Sequence, residues 1–226
     1  MITVKELYKN FGKNEVLKNI NLNFLKGRAY GIVGENGAGK TTLFRCIAGL
    51  EDFQGEVTSF SSPLKNNLGL LLAEPFFFSK ITGKEYIRLL CNARGKNDAD
   101  IESRNIFDLP LGRYASAYST GMKKKLALTA ILLQENDYYI LDEPFNGLDI
   151  QSNIILIEII KKLKKLDKTV IISSHIFSAL KDTCDEIHLL RKGEQPKTFQ
   201  KNSFASLEEE MRSAIIGNKI ESLGLK

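Results

Sequence analysis

Apolar and polar positions alternate at Ile20, Leu22 and Phe24, then give way to the turn Lys26-Gly27-Arg28 and an unbroken apolar run from Ala29 to Val33. Alternation predicts a strand with one covered face, and the unbroken run predicts a buried strand. From Thr41 to Leu50 the period changes. Leu43, Phe44, Ile47, Ala48 and Leu50 recur at helical spacing, and Gly49 with the following acidic pair marks the end. A strand therefore runs into a glycine-rich loop and out into a helix.

Tyr138 to Leu141 and Thr169 to Ile172 are short, β-rich apolar runs. The helical pattern between them, from about Ile154 to Leu166, ends in lysines that suit the negative end of a helix dipole. This βαβ order predicts a parallel sheet. Residues from about 75 to 135 carry mostly helical patterns broken by Gly95, Pro110 and Gly112, which predicts a helical insert. After about Gly193 the pattern is weaker; Ser206-Leu207-Glu208-Glu209 resembles a capping box and predicts a short packing helix. No internal repeat is visible.

At 226 residues, with 43% hydrophobic and 26% charged side chains, the chain suits one α/β domain with a small subdomain and is unlike a disordered segment. The net charge of +5 favours polyanionic company without selecting one. Cys46, Cys91 and Cys184 have no paired spacing, so neither a disulfide frame nor a zinc site is expected, and a reducing compartment fits. No stretch approaches the roughly 18 to 20 apolar residues that cross a bilayer. The start, Met1 to Leu7, lacks the basic and apolar regions of a secretory signal.

Four motifs carry chemistry. Gly34-x4-Gly39-Lys40-Thr41 lies between the predicted strand and helix. There, glycines let backbone amides crowd around phosphates, Lys40 neutralises the β- and γ-phosphates, and Thr41 offers a hydroxyl to Mg2+. Tyr138 to Glu143 is an apolar strand ending in two carboxylates. At that edge Asp142 can hold magnesium, and Glu143 can orient water for in-line attack on the γ-phosphate. Tyr118-Ser119-Thr120-Gly121-Met122 followed by Lys123-Lys124-Lys125 begins a helix that Ser119 or Thr120 would cap. Its open amides form a second anion-binding helix start, and the three lysines read as a solvated basic face. His175 follows the strand beginning at Thr169; in isolation such a residue is more often structural.

In this order the segments resemble the ATP-binding cassette family, the nucleotide-binding subunits of ABC transporters, over about residues 2 to 195. The resemblance implies a P-loop NTPase core with a mostly parallel sheet, an N-terminal antiparallel β subdomain, and a helical subdomain inserted between the Walker A and Walker B segments. Residues 196–226 then form a short C-terminal tail. ATP would sit on the Walker A residues Gly34, Glu35, Asn36, Gly37, Ala38, Gly39, Lys40 and Thr41, with Thr42 beside them and Phe11 stacking on adenine. Thr41 and Asp142 would ligate Mg2+, with Glu143 and the switch residue His175 catalytic. In this family two cassettes close head to tail, so Ser119 and Gly121 of the signature segment and Asp149 of the D-loop would complete the other subunit's site.

There are two departures from the family pattern. The signature reads Ser-Thr-Gly-Met where Ser-Gly-Gly-Gln is common; with its trailing lysines it resembles members serving ABC-2 type exporters. Ala73 stands where the family has a glutamine at the joint between core and helical subdomain, with Glu74 beside it. Either Glu74 substitutes after a local shift, or coupling to the membrane partner works differently. The expected partners are a separate integral membrane permease and a second cassette subunit, a homodimer forming on ATP binding, at the cytoplasmic face of the membrane. The alternative is a cassette ATPase acting on nucleic acid or ribosomes. Such relatives carry two fused cassettes or a long coiled-coil insert, so nucleic acid is not an expected partner. A third reading, ATP-dependent signalling without turnover, rests on the missing glutamine and is opposed by Glu143 and His175.

Overall fold

The computed structural model describes residues 1–96 and 100–216. Strands β1 (Ile2–Phe11), β2 (Asn14–Phe24) and β4 (Gln54–Ser59) form an antiparallel sheet in the order β2-β1-β4. In β2 the expected alternation is present: Ile20, Leu22 and Phe24 are buried while Asn19, Asn21 and Asn23 face solvent.

The second sheet has the order β5-β6-β7-β3-β8-β9, built from β3 (Ala29–Val33), β5 (Leu68–Leu71), β6 (Tyr138–Asp142), β7 (Thr169–Ser173), β8 (Glu186–Leu189) and β9 (Lys197–Gln200). All its pairings are parallel except that of β8 with β9. Every residue of β3, β6 and β7 is buried, as a parallel sheet covered on both faces requires. Along these strands successive side chains enter two different cores. Tyr30, Ile32, Tyr138, Ile140 and Ile171 join the antiparallel sheet and helix α1 (Lys40–Ile47), whereas Ala29, Val33, Tyr139, Leu141, Val170 and Ile172 join the remaining helices. Full burial of side chains such as Phe24 and Phe44 stabilises the layer by about 1.5–3 kcal/mol each.

Among the described residues the helical insert contains two α-helices, α2 (Gly83–Asn92) and α3 (Thr120–Leu133), which pack together. A capping box fixes the start of α2: the Glu85 amide donates to Thr82 Oγ1, and the Thr82 amide donates to Glu85 Oε2 at 2.8 Å. Helix α4 (Ile150–Lys165) begins four residues earlier than its apolar period suggests, because Asp149 caps it, and its last turn carries the expected lysines. Helix α5 (Phe177–Thr183) follows β7.

The segment after Gly193 contributes more than a packing helix, since β9 pairs with β8 at the sheet edge. Helix α6 (Phe204–Ile216) begins ahead of the Ser206 capping box. A 3-10 turn at Lys201–Ser203 leads into it, and Phe204 and Leu207 are anchored in the core. Residues 217–226 of the expected tail lie outside the described residues. Among the described residues no helix is long and apolar enough to cross a membrane.

Candidate functional site

The sheet order places the carboxyl ends of β6, β7 and β3 side by side, and the expected chemistry gathers there. A cleft of about 390 Å³ is lined by Val16, Asn36, Gly37, Gly39, Lys40, Thr41, Thr42, Asp142, Glu143 and His175. A larger hollow of about 490 Å³, against Thr3, Lys5, Asn21 and Glu56 on the antiparallel sheet, contains no comparable set of converging groups.

The loop from Gly34 delivers the chain into α1 through Gly39, whose φ of 103° is a left-handed conformation that side chains rarely adopt. No side chain caps α1, so its first amides are left open toward the cleft and provide the donor set a phosphate needs. Lys40 is almost fully buried, and its ammonium donates to the Gly34 carbonyl at 2.7 Å and the Glu35 carbonyl at 3.2 Å. Burial pulls its pKa below the usual lysine range, while the charges of Glu143 and Asp142 oppose that shift.

Opposite the loop, Asp142 is held by two hydroxyls. Thr41 Oγ1 donates to Oδ2 at 2.6 Å, and Ser173 Oγ donates to Oδ1 at 2.5 Å. Ser173 also accepts the Glu143 amide at 2.9 Å. The backbone of Glu143 turns through φ 49°, a left-handed conformation that costs a non-glycine residue on the order of 1–3 kcal/mol. Its carboxylate then meets His175: the His175 amide donates to Oε2 at 3.2 Å, and Nε2 lies 3.1 Å from Oε1. That second contact is not aligned as a hydrogen bond, which leaves Oε1 buried without a hydrogen-bond partner. A buried, unpartnered carboxylate oxygen suits a group that receives a hydrogen bond from water. Thr41 and Asp142, paired hydroxyl and carboxylate oxygens beside the phosphate loop, offer the hard oxygen ligands that Mg2+ takes.

The lysines after the signature segment are not a solvated face. Lys124 is 3% exposed and donates to the Glu143 carbonyl at 2.7 Å, and Lys125 pairs with Asp149 at 2.7 Å. Basic residues in the first turn oppose the helix dipole, but here they join α3 to the segment that follows β6. Ser119 caps α3 by accepting the Met122 amide, and Thr120 is the first helical residue. Ser119 and Gly121 lie outside the cleft lining on this chain. Asp149 is occupied as the cap of α4 and the partner of Lys125. Those contacts hold its carboxyl well below the usual carboxylate range, the Lys125 hydrogen bond most of all.

Phe11 ends β1, half exposed, with the Lys9 ammonium 4.7 Å from its ring centroid; it is not among the residues lining the cleft. Ala73 is half-buried and Glu74 exposed, and neither lines the cleft, although the Glu74 charge acts on Lys124. The sequence reading missed Ser173 and Lys124. Ser173 could have been found from its place at the end of an apolar strand beside the carboxylate strand; nothing in the sequence distinguishes Lys124 from its two neighbours.

The family model described as "ABC transporter" matches residues 17–146. The "ABC transporter ATP-binding protein NatA" of Bacillus subtilis is 34% identical, the match covering 94% of each chain. The "Lantibiotic transport ATP-binding protein SrtF" of Streptococcus pyogenes is 30% identical over 97% of this chain and 99% of that one. Among solved structures, "Structure of ATP binding subunit of ABC transporter" superimposes with a TM-score of 0.80 at 24% identity, covering both chains fully, a likeness of fold. With its sequence matching over most of its length and its fold shared, the chain belongs to the ABC transporter family as an ATP-binding, ATP-hydrolysing subunit.

Proposed function

We propose that this chain powers an exporter, hydrolysing ATP at the cytoplasmic face of a membrane while a separate permease carries the cargo. The observation that carries the reading is the convergence of Lys40, Thr41, Asp142, Glu143 and His175 on one cleft at the ends of β3, β6 and β7. The first amides of α1 and the Lys40 ammonium bind the β- and γ-phosphates. Thr41 and Asp142 would hold Mg2+, which when bound would supply charge neutralisation for the transferred phosphoryl group.

Glu143 orients and polarises the attacking water, and His175 holds that carboxylate in place. Head-to-tail closure, which membership of the family implies, would bring Ser119 and Gly121, outside this chain's own cleft, over the ATP of a second subunit and make each chain half of two sites. Phe11 is the expected platform for adenine. Support for export comes from the lysine-trailed signature and from relatives whose names include lantibiotic transport.

The test is ATP turnover by the purified chain together with recovery of its membrane partner. Turnover that requires Glu143 and co-purification with an integral membrane protein are expected. Salt-sensitive binding to RNA or DNA with no membrane partner would instead favour the nucleic-acid reading.

A further inference from the structure

We propose that Lys124 is a positioning residue for Glu143, its ammonium holding the carbonyl of the turn that aims the Glu143 carboxylate into the cleft. This rests on the reading of Glu143 as the residue that orients water.

Glu143 adopts a left-handed backbone at φ 49°, which an L-residue keeps only where its surroundings over-determine it. Both sides of the residue are pinned. Its amide donates to Ser173 Oγ at 2.9 Å, and its carbonyl accepts from Lys124 Nζ at 2.7 Å. The first contact comes from the adjacent strand β7, whereas the second comes from α3, the helix that begins in the signature segment.

A lysine buried to 3% exposure is costly to keep charged, and burial pulls its pKa down while Glu143, Asp142 and Glu74 act in the opposite sense. Such a residue is not required for packing alone, since an apolar side chain of the same length would fill the space without the desolvation cost.

Two further contacts seat the start of α3 on the segment after Glu143. A Cβ at Gly121 would come within 2.4 Å of the Gly147 carbonyl oxygen, so the helix lies against that segment with no room for a side chain. Lys125 reaches Asp149 at 2.7 Å. Gly121, Lys124 and Lys125 thus hold 147, 143 and 149 in turn, and only the middle contact touches the residue that works in the cleft. A displacement of α3 would therefore be felt at the Glu143 carbonyl, which links the signature segment to the chain's own hydrolytic group.

The experiment compares the full chain with Lys124→Met, Lys124→Gln and Glu143→Gln. It measures steady-state ATPase, binding of a fluorescent ATP analogue and thermal unfolding. Lys124→Met keeps the length and loses the donor; Lys124→Gln keeps a donor without the charge. Loss of a buried charge-assisted hydrogen bond predicts a kcat lower by about 10- to 100-fold in Lys124→Met. Nucleotide affinity should stay within about twofold, since the phosphate-binding groups lie on the loop and α1. Lys124→Gln should recover much of kcat.

Wild-type kcat in Lys124→Met overturns the proposal. So does parallel loss of kcat, nucleotide binding and folding in both Lys124 variants, which would mark a packing role. If the wild-type chain shows no turnover beyond that of Glu143→Gln, the reading of Glu143 fails and this proposal with it.

Discussion

The imidazole Nε2 of His175 lies 3.1 Å from Oε1 of Glu143 while the His175 backbone amide donates to Oε2 of the same carboxylate at 3.2 Å. One residue thus approaches both oxygens of another and hydrogen-bonds to Oε2 alone, from a strand end two positions beyond Ser173. Glu143→Gln keeps the shape but removes the negative charge that polarises water in the proposed mechanism. ATPase should fall by about 10²- to 10⁴-fold, with an ATP-bound dimer accumulating in size-exclusion chromatography. His175→Ala should lower kcat by at least about 10²-fold and leave nucleotide affinity nearly unchanged. Undiminished turnover in Glu143→Gln would falsify the assignment of the water-orienting group.

The role proposed for Lys40 belongs to an earlier step. Its ammonium sits on the carbonyls of Gly34 and Glu35, within the loop that leads into α1. Lys40→Met removes the charge-assisted contacts to phosphate and should weaken ATP binding by about 100-fold. Equilibrium binding of labelled ATP checks this, and an unchanged Kd would move the phosphates elsewhere.

Ser173 connects two functional groups with one hydroxyl, donating to Asp142 Oδ1 and accepting the Glu143 amide, and it is fully buried. Ser173→Ala leaves a buried carboxylate oxygen and a buried amide each short of a partner. Chemical denaturation should show stability lower by about 1–3 kcal/mol, and ATPase should fall with it. Full activity with reduced stability would assign the hydroxyl to folding alone.

Residues that act through contiguous sequence were legible and those that act through burial were not. Gly34 to Thr41 and Asp142-Glu143 are short runs whose chemistry depends on neighbours in the chain, so spacing alone places them. Strand β1 escaped because its apolar period lapses. Val4 and Leu7 are three residues apart, yet they face Leu22 and Ile20, which are two apart. Between them Glu6 turns through φ 48°, a bulge that shifts the alternation by one. Strand β9 escaped because only Phe199 of its four residues is buried, so an edge strand reads as a polar loop. Lys124 is chemically identical to Lys123 and Lys125, and only the fold decides which ammonium is shut away from water.

His188 gives a pH dependence that can be separated from the catalytic residues. It is 2% exposed on β8, its Nδ1 3.0 Å from Thr198 Oγ1 and its ring stacked against Tyr30 at 6.0 Å. Nε2 is buried without a hydrogen bond, since Glu186 Oε1 at 3.4 Å is not aligned to accept one. Burial pulls the His188 pKa down to about 4 from an ordinary 6.5. Above pH 6.5 the ring is neutral in both folded and unfolded chains, so it contributes no pH dependence. Between 6.5 and 4 the unfolded chain binds a proton that the folded chain refuses, and stability falls as pH falls. The loss over this window amounts to about 3 kcal/mol.

Carboxylates also titrate toward the lower end of that range, so the informative quantity is the difference between wild type and His188→Gln. The variant keeps a neutral polar side chain beside Thr198 and has no group to protonate. Its unfolding midpoint should drop less than that of wild type between pH 7 and pH 4.5, while the two proteins keep a constant offset above pH 7. The chain has two histidines, and the other, His175, is half exposed and present in both proteins. Parallel pH profiles for the two proteins would mean that His188 is protonated as easily in the folded chain as in the unfolded one.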